Sequence, residues 1–227
     1  MKITWIGQAG LLFDNGKIKI MIDPYLSDSV EKIEPKNFRR VPIEERLFDI
    51  EPDVLIFTHD HMDHYDPETS SRFLTRQDKS ITVLCPASVW QKARANGGIH
   101  NYVQFDRQTE WTEHGFRFCA VKAVHSDPFA IGVILEELEQ KRTYYITGDT
   151  LYNREILNDL PSKIDVVFLP INGVGNNMNE TDAVRFFHDC GAKRAVPYHV
   201  GMFDNKTPDI FDDENKIILK VYKGSEF

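Results

Sequence analysis

The feature that most constrains this chain of 227 residues is a run of histidines and aspartates directly after a short apolar segment. The apolar segment, Val54–Phe57, predicts a buried strand, and residues 58–66 continue it as THDHMDHYD. A strand held by burial places the residues that follow it at a defined edge of its sheet. The pattern H-x-H-x-D-H in this run consists of His59, His61, Asp63 and His64.

The spacing of these side chains predicts a metal site. In an extended backbone leaving the strand, His59 and His61 project to the same side. A turn at Met62 then brings Asp63 and His64 toward a second point close by. Imidazole and carboxylate groups together suit zinc, manganese or iron, and two overlapping ligand sets suit two metal ions. The alternative interpretation is a solvated polar turn.

Later segments repeat this arrangement, each with a predicted strand that ends in a metal-capable residue. The strand and residue pairs are Phe116–Val124 with His125, Arg142–Ile146 with Asp149, and Ala195–Tyr198 with His199. Taken singly, a histidine after a strand is more often hydrogen-bonded than metal-bound, and a Gly-Asp pair is more often a turn or an N-cap. Taken together with the first cluster, they favour one site, because a two-metal site needs further ligands from strand ends at one edge.

Charge and cysteine content argue against several classes of protein. The chain has 35 acidic and 27 basic residues, a net charge of −8, and no basic block longer than Arg39–Arg40. Nucleic-acid binding depends on basic surface, so no nucleic-acid partner is expected. The cysteines, Cys85, Cys119 and Cys190, are odd in number and form no C-x-x-C pair. A disulfide framework and a thiolate zinc site are therefore not expected.

Nothing in the sequence pattern predicts export or a membrane anchor. Residues 1–7 contain no apolar run of signal-peptide length, and no stretch approaches the roughly 20 apolar residues of a membrane span. We therefore expect a cytoplasmic protein without a membrane partner. No repeat and no Gly/Ser-rich or Pro-rich linker divides the chain, which predicts a single domain over residues 1–227.

The order of predicted elements indicates two sheets with helices outside them. Strands fall in two groups, each followed by helices, and the Asp-Asn-Gly sequence at residues 14–16 predicts a tight hairpin turn in the first group. Ser27–Pro52 is charged and irregular, which predicts an elaborated loop. Leu151–Leu160 is predicted to be helical, and the apolar spacing after Asn179 predicts another helix that ends at Gly191.

In the order H-x-H-x-D-H, His, Gly-Asp, His, the chain resembles the metallo-β-lactamase superfamily over nearly its whole length. WIGQAG at residues 5–10, IDP at 22–24, TGDT at 147–150 and LPING at 169–173 are similar to landmarks of one branch. That branch contains L-ascorbate-6-phosphate lactonase and related small bacterial metal-dependent hydrolases. The resemblance implies a fold of class α/β, a four-layer αβ/βα sandwich, with the metal site at one edge of the two sheets.

The resemblance also implies two divalent transition-metal ions per chain, zinc first and manganese or iron as alternatives. The first ion would be held by His59, His61 and His125. The second would be held by Asp63, His64 and His199, with Asp149 bridging the two. Asp23 is similar to the family's acidic residue before the motif loop, which hydrogen-bonds near the ligands.

The expected chemistry is hydrolysis without a covalent enzyme intermediate. Water that bridges two divalent cations becomes hydroxide near neutral pH, and it can attack a carbonyl or a phosphorus centre. Asp63 would orient this hydroxide and relay its proton to the leaving group, so Asp63 and Asp149 are the predicted catalytic residues. Antibiotic-degrading members commonly carry cysteine where Asp149 stands, so the resemblance points instead to thioester, lactone and phosphodiester hydrolases.

The first hypothesis for the substrate is a small anionic ester, led by a lactone of the sugar-acid phosphate type. The alternatives are a phosphodiesterase that acts on a small phosphodiester, and a non-catalytic metal-binding or regulatory protein. Arg39, Arg40 and Asn172 are the candidate substrate contacts, because a guanidinium grips phosphate or carboxylate in a bidentate manner. Their alternative interpretations are a solvated basic patch and a turn. Whether the protein is a homo-oligomer stays open.

Overall fold

The computed structural model describes residues 1–201 and 204–227 of the chain. These residues form two compact units. Unit 1 consists of Met1–Gln104, Leu219–Phe227 and the described residues between 201 and 205, and unit 2 consists of Phe105–Val200 and Lys206–Ile218. The single domain predicted over residues 1–227 stays a prediction.

Unit 1 is built on a mixed sheet. Its strands are β1 Lys2–Gly7, β2 Gly10–Asp14, β3 Lys19–Ile22, β4 Val54–Ile56, β5 Thr82–Cys85, β6 Asn101–Gln104 and β13 Gly224–Glu226. Among the described residues they form a seven-stranded sheet in the order β13-β1-β2-β3-β4-β5-β6. The strands from β1 to β3 form an antiparallel meander, whereas those from β3 to β6 run parallel.

The parallel pair β3 and β4 determines where the first ligand cluster lies. The predicted hairpin turn at residues 14–16 is confirmed, since it joins β2 to β3 and the carboxylate of Asp14 accepts from Gly16 N at 2.7 Å. Parallel strands end at the same edge of a sheet. The residues after β3 and β4 therefore meet, and Asp23 N donates to Ile56 O at 2.9 Å.

Unit 1 contains three α-helices among its described residues, and the second and third place apolar side chains in the core of the sheet. They are α1 Ser29–Ile33, α2 Pro67–Leu74 and α3 Ala87–Ala95, with a 3-10 helix at Glu45–Asp49. The carboxylate of Asp66 caps α2 by accepting from Glu68 N and Thr69 N, and Pro67 provides a fixed first turn. Phe73 of α2 is fully buried in the same core as Leu55 and Val83 of the sheet.

The segment Ser27–Pro52 is more regular than predicted. It contains α1 and the 3-10 helix, so the prediction of an irregular loop is wrong for those parts. The 3-10 helix forms because apolar residues spaced among its charges pack on the core: Leu47 is buried, and Phe48 stacks on Phe73 with ring centroids 5.7 Å apart. Charged residues occupy the outer positions and conceal this pattern in the sequence.

Unit 2 is built on a second mixed sheet. Its strands are β7 Glu110–Glu113, β8 Phe116–Lys122, β9 Ile131–Glu137, β10 Arg142–Ile146, β11 Ile164–Pro170 and β12 Ala192–Tyr198. In the described part of the chain they form a six-stranded sheet in the order β12-β11-β10-β9-β8-β7. The strands from β7 to β10 are antiparallel, and those from β10 to β12 are parallel. The β8, β10 and β12 strands precede His125, Asp149 and His199 respectively.

The helices of unit 2 confirm one prediction and correct another. Helix α4, Glu180–Asp189, begins after Asn179, whose side chain accepts from Asp182 N. The helix predicted over Leu151–Leu160 is wrong in type, since a 3-10 helix covers only Arg154–Asp159. The Asp159 carboxylate accepts from Lys122 N of β8 at 2.9 Å, so a tertiary contact that the local sequence does not reveal holds the end of this segment.

Edge strands β6 and β7 carry no sequence signal. Their residues are exposed or half-buried and include no continuous apolar run. An edge strand is defined by its partner's hydrogen bonds, which a local pattern does not reveal. No helix among the described residues is both long enough and apolar enough to cross a lipid bilayer.

The N-cap of α2 gives the first test. Asp66 is fully buried and accepts from Thr69 Oγ1 besides the two backbone groups. We expect Asp66→Ala to lower the free energy of unfolding by about 2 kcal/mol, at the upper end for a cap, because a buried donor is left unsatisfied as well. Urea denaturation of metal-free protein measures the loss. Asn179→Ala, which removes one bond at the exposed start of α4, is the matched control. An equal loss in the two variants would contradict the argument.

Candidate metal centre

The ligand motif of unit 1 turns back on itself directly after β4. His64 N and Tyr65 N both donate to His61 O, at 3.0 and 2.8 Å, which confirms the turn predicted at Met62. The ring centroid of His59 lies 4.6 Å from that of His61 and 3.9 Å from that of His64. The His64 Nε2 atom is 3.9 Å from Asp63 Oδ2. Unit 1 therefore gathers its metal-capable side chains into one cluster.

Asp23 braces this cluster from beneath. Its side chain is fully buried, and its carboxylate accepts from Thr58 N at 2.8 Å, from Thr58 Oγ1 at 2.6 Å and from His64 Nδ1 at 2.8 Å. The backbone of Asp23 is left-handed, with φ of 44°, a conformation that costs energy in a non-glycine residue. The role in orienting ligands that the resemblance implied for Asp23 stays a prediction, and this contact pattern is its physical basis.

The same contacts select the histidine tautomers. A carboxylate only accepts, so the proton of His64 lies on Nδ1 and its Nε2 keeps a lone pair. The hydroxyl of Thr58 gives its hydrogen to Asp23, so its oxygen accepts from His59 Nδ1 at 3.0 Å. His59 is therefore also left with Nε2 as the metal-capable atom. An imidazole held in this way needs no tautomer change before it binds a metal.

Gln8 is a contact of the site that the sequence patterns did not single out. Its side-chain Nε2 donates to Asp63 Oδ2 at 3.1 Å, and Gln8 O accepts from Trp5 Nε1 at 2.7 Å. Gln8 is almost fully buried and has a left-handed φ of 50°. The only signal for it was its place in the landmark at residues 5–10, since Gln8 and Asp63 are 55 positions apart.

Unit 2 gathers the remaining candidate ligands in a second cluster. His199 Nε2 lies 3.0 Å from Asp149 Oδ1, and His125 Nε2 lies 3.9 Å from Asp149 Oδ2. The side chains of all three are nearly fully buried. His125 Nδ1 donates to Asn176 O at 3.1 Å, which again leaves Nε2 as the metal-capable atom. The backbone of His199 is left-handed, with φ of 58°.

The donor set of each cluster suits a transition-metal ion. Imidazole nitrogen and carboxylate oxygen are ligands for zinc, manganese and iron, and the tautomers of His59, His64 and His125 already present Nε2. At His199 the Asn172 Nδ2 atom lies 3.1 Å from Nδ1. A metal on Nε2 of His199 requires a proton on Nδ1, and hence the amide oxygen of Asn172 turned toward the ring.

Arg39 and Arg40 both lie in unit 1, outside its ligand cluster. The guanidinium of Arg39 donates to Tyr25 O and, at 2.8 Å, to the hydroxyl of Tyr222. Its Nε is buried and has no acceptor among the described residues. Arg40 is exposed, and it donates to Asn205 Oδ1 at 2.7 Å. Substrate binding by either arginine stays a prediction, as it does for Asn172 of unit 2.

Comparison with known proteins identifies the family. Residues 19–200 match the family described as the beta-lactamase superfamily domain. The match covers most of the chain and includes every candidate ligand. The chain therefore belongs to the metallo-β-lactamase superfamily. This membership confirms the family expected from the order of the motifs, although it does not distinguish the branch.

Relatives and solved structures agree with this assignment. A protein of Listeria monocytogenes serovar 1/2a, named a UPF0173 metal-dependent hydrolase, is 27% identical over 237 residues, covering 99% of this chain and 94% of the relative. Igni18, a metallo hydrolase of Ignicoccus hospitalis, has a TM-score of 0.74 at 18% identity, with 100% of this chain and 98% of that chain covered. An isothiocyanate hydrolase from Delia radicum gut bacteria has a TM-score of 0.74 at 18% identity, covering 100% and 99%. These likenesses confirm the predicted α/β sandwich fold of the superfamily.

The contacts of Asp23 give the second test. Asp23→Asn places an amide with one acceptor oxygen where three donors converge. We expect the affinity for zinc to fall by about 10- to 100-fold, because His64 loses the acceptor that holds its tautomer. Competition with a chelating dye measures the affinity. Asp53→Asn is the control, since Asp53 accepts from Lys19 N at the opposite end of β3. Unchanged zinc affinity in Asp23→Asn would contradict the role of Asp23 in orienting the ligands.

Proposed function

We propose that the protein is a dinuclear metal-dependent hydrolase. The observation that carries the proposal is the pair of clusters of metal-capable side chains, one in each unit, in which His59, His64 and His125 are held in metal-binding tautomers. His59, His61 and His125 are the proposed ligands of the first ion. Asp63, His64 and His199 are those of the second, with Asp149 bridging. The name of the Listeria relative, a metal-dependent hydrolase, supports the same reaction class.

Each aspartate of the proposed centre has a distinct task. Two bound divalent ions would supply Lewis acidity and a hydroxide nucleophile near neutral pH. Asp63, held by the amide of Gln8, is placed to orient the nucleophile and to pass its proton to the leaving group. Asp149 would serve as a ligand shared by the two ions, since a carboxylate can bind two cations.

The cysteines favour a mechanism without a covalent intermediate. Cys85 is fully buried. Burial raises the pKa of the Cys119 thiol, and that of the Cys190 thiol, to about 11. A thiol with such a pKa stays protonated near neutral pH and is a weak nucleophile. We therefore assign attack on the substrate to water and not to a side chain.

The proposed substrate is a small anionic ester, first a lactone of the sugar-acid phosphate type. The landmarks at residues 5–10 and 169–173 resemble the branch that contains such a lactonase. The buried Nε of Arg39, a cationic donor without an acceptor among the described residues, supports an anionic substrate. The structural neighbour named an isothiocyanate hydrolase supports a carbon electrophile. Phosphodiester hydrolysis and metal binding without turnover are outcomes that the substrate panel distinguishes.

Metal loading and turnover test the proposed function together. We expect purified protein grown in supplemented medium to contain close to two transition-metal ions per chain by elemental analysis. Zinc- or manganese-loaded protein should hydrolyse lactones in a panel that also contains thioesters and phosphodiesters, and His61→Ala should lose this metal-dependent turnover. His114→Ala is the control, because His114 is exposed and lies outside both clusters.

The outcomes separate the alternatives. If the purified protein contains no metal, the assignment of the metal site is wrong. Metal with turnover of phosphodiesters alone would replace the lactonase by a phosphodiesterase. If the protein contains metal but hydrolyses no substrate of the panel, the result would support a binding or regulatory protein. Full activity of His61→Ala would show that His61 has no part in the mechanism.

Arg39 provides a separate test of the anionic substrate. We expect Arg39→Ala to raise KM for an anionic lactone by about tenfold or more, the value of one charge-assisted hydrogen bond, with little change for a neutral lactone. Steady-state kinetics on the two substrates measures the difference. Arg40→Ala should have a smaller effect, since Arg40 is exposed and bonded to Asn205. Urea denaturation checks stability, because Arg39 also holds Tyr25 and Tyr222. Equal changes of KM for both lactones would contradict a contact between Arg39 and the anionic group of the substrate.

A further inference from the structure

A short loop between β11 and α4 contacts every candidate ligand of unit 2. The loop, residues 172–179 with the sequence NGVGNNMN, is called the asparagine loop below. Its ends are joined by a bridge between Asn172 and Asn179, and Gly173 N donates to Met178 O at 3.1 Å. Residues 173–176 are exposed at the tip, whereas Asn172, Asn177 and Met178 are buried. The base of the loop is thus a closed and buried structure.

The contacts of the loop reach ligands from separate strands. Asn177 Nδ2 donates at 2.7 Å to Oδ2 of Asp149, which follows β10. Asn176 O accepts at 3.1 Å from Nδ1 of His125, which follows β8. The amide of Asn172 lies 3.1 Å from Nδ1 of His199, which follows β12. A further bond, from Met178 N to Thr150 O at 3.0 Å, ties the loop to the backbone beside Asp149.

From these contacts we propose that the asparagine loop positions the unit 2 ligands for metal, and that Asn177 is the positioning residue of Asp149. The inference rests on the proposed function, and it adds residues that the ligand motif does not contain. A carboxylate rotates freely unless a donor holds one of its oxygens. Asn177 supplies that donor to Oδ2 and leaves the other oxygen of Asp149 for a ligand bond.

The chemistry of an amide suits this task better than that of a charged side chain. Lysine or arginine would also hold the carboxylate, but its positive charge would repel a divalent cation at the same oxygen atoms. Asparagine is neutral and donates a directional hydrogen bond, so it orients Asp149 without lowering the attraction for metal. Three of the four asparagines in the loop supply a neutral contact through side chain or backbone, which is consistent with this requirement.

Asn177 has a second polar atom whose environment supports the assignment. Its Oδ1 is buried and has no hydrogen-bond partner in the described part of the chain. A buried acceptor without a donor is costly, so proteins retain one chiefly where a ligand or water completes it. We assign this oxygen as the acceptor for a donor of the loaded site, a water or a substrate hydroxyl.

Asn176 offers a matched control within the same loop. It contacts His125 only through its backbone oxygen, and its residue is exposed at the tip. Asn176→Ala therefore removes a carboxamide of equal size from the neighbouring position without removing a ligand contact. Asn177→Leu complements Asn177→Ala, since leucine fills a similar volume and has no polar atom.

The experiment measures zinc affinity by competition with a chelator, together with thermal unfolding of the full-length metal-free variants. We expect Asn177→Ala and Asn177→Leu to bind zinc about 10- to 100-fold more weakly than the wild type, the usual effect of losing a bond that orients a ligand. Asn176→Ala should stay within about twofold of the wild type, because its backbone bond to His125 remains. Thermal unfolding separates loss of metal binding from loss of fold.

Each outcome bears on a different part of the argument. Wild-type zinc affinity in both Asn177 variants would overturn the inference while leaving the proposed function standing. Equal losses in the Asn176 and Asn177 variants would also overturn it, since packing of the loop and not the amide would be responsible. Absence of zinc binding in the wild-type protein would instead overturn the proposed function.

Discussion

The hydrogen bonds of the buried Asp23 carboxylate are the interactions on which the ligand cluster of unit 1 depends. It follows β3, and it receives donors from the backbone and side chain of Thr58 and from the ring of His64. One acidic group thus joins the ends of two parallel strands and sets the tautomers of His59 and His64. Buried carboxylates are costly unless fully hydrogen-bonded, and here the donors that satisfy the charge also organise the ligands. Stability and metal chemistry therefore share the same bonds.

Unit 2 achieves the same result with neutral groups. Its candidate ligands follow β8, β10 and β12, and the asparagine loop supplies their contacts through amide and backbone atoms. The carboxylates follow one electrostatic rule in both units. Asp63 accepts from the amide of Gln8 and Asp149 from the amide of Asn177, whereas a second acid beside either carboxylate would be repulsive.

The sequence predicted the ligand cluster of unit 1 because its determinants are local. Burial of Val54–Phe57 and the spacing of the motif specify the strand, the turn at Met62 and the grouping of side chains. The contact of Gln8 with Asp63 and that of Asn177 with Asp149 could not be predicted from local pattern, since the partners lie 55 and 28 positions apart. Ser27–Pro52 failed for a related reason: its helical turns depend on contacts such as Phe48 on Phe73, which composition does not reveal. The local sequence pattern predicts the candidate ligands, whereas the residues that hold them are found only from tertiary contacts.

Anchoring of the motif at both ends has a consequence for how the chain tolerates change. Before the motif stands β4, and after it Asp66 caps α2 while Thr69 Oγ1 accepts from Leu26 N at 2.8 Å. The motif segment between β4 and α2 therefore has a fixed length, because both of its ends are held by rigid elements. Substitutions within it alter one side chain, but an insertion or deletion of a single residue would shift the neighbouring candidate ligands of the motif relative to Asp23. Residues 173–175 of the asparagine loop are exposed and contact no candidate ligand, so a change of chain length is accommodated more readily there.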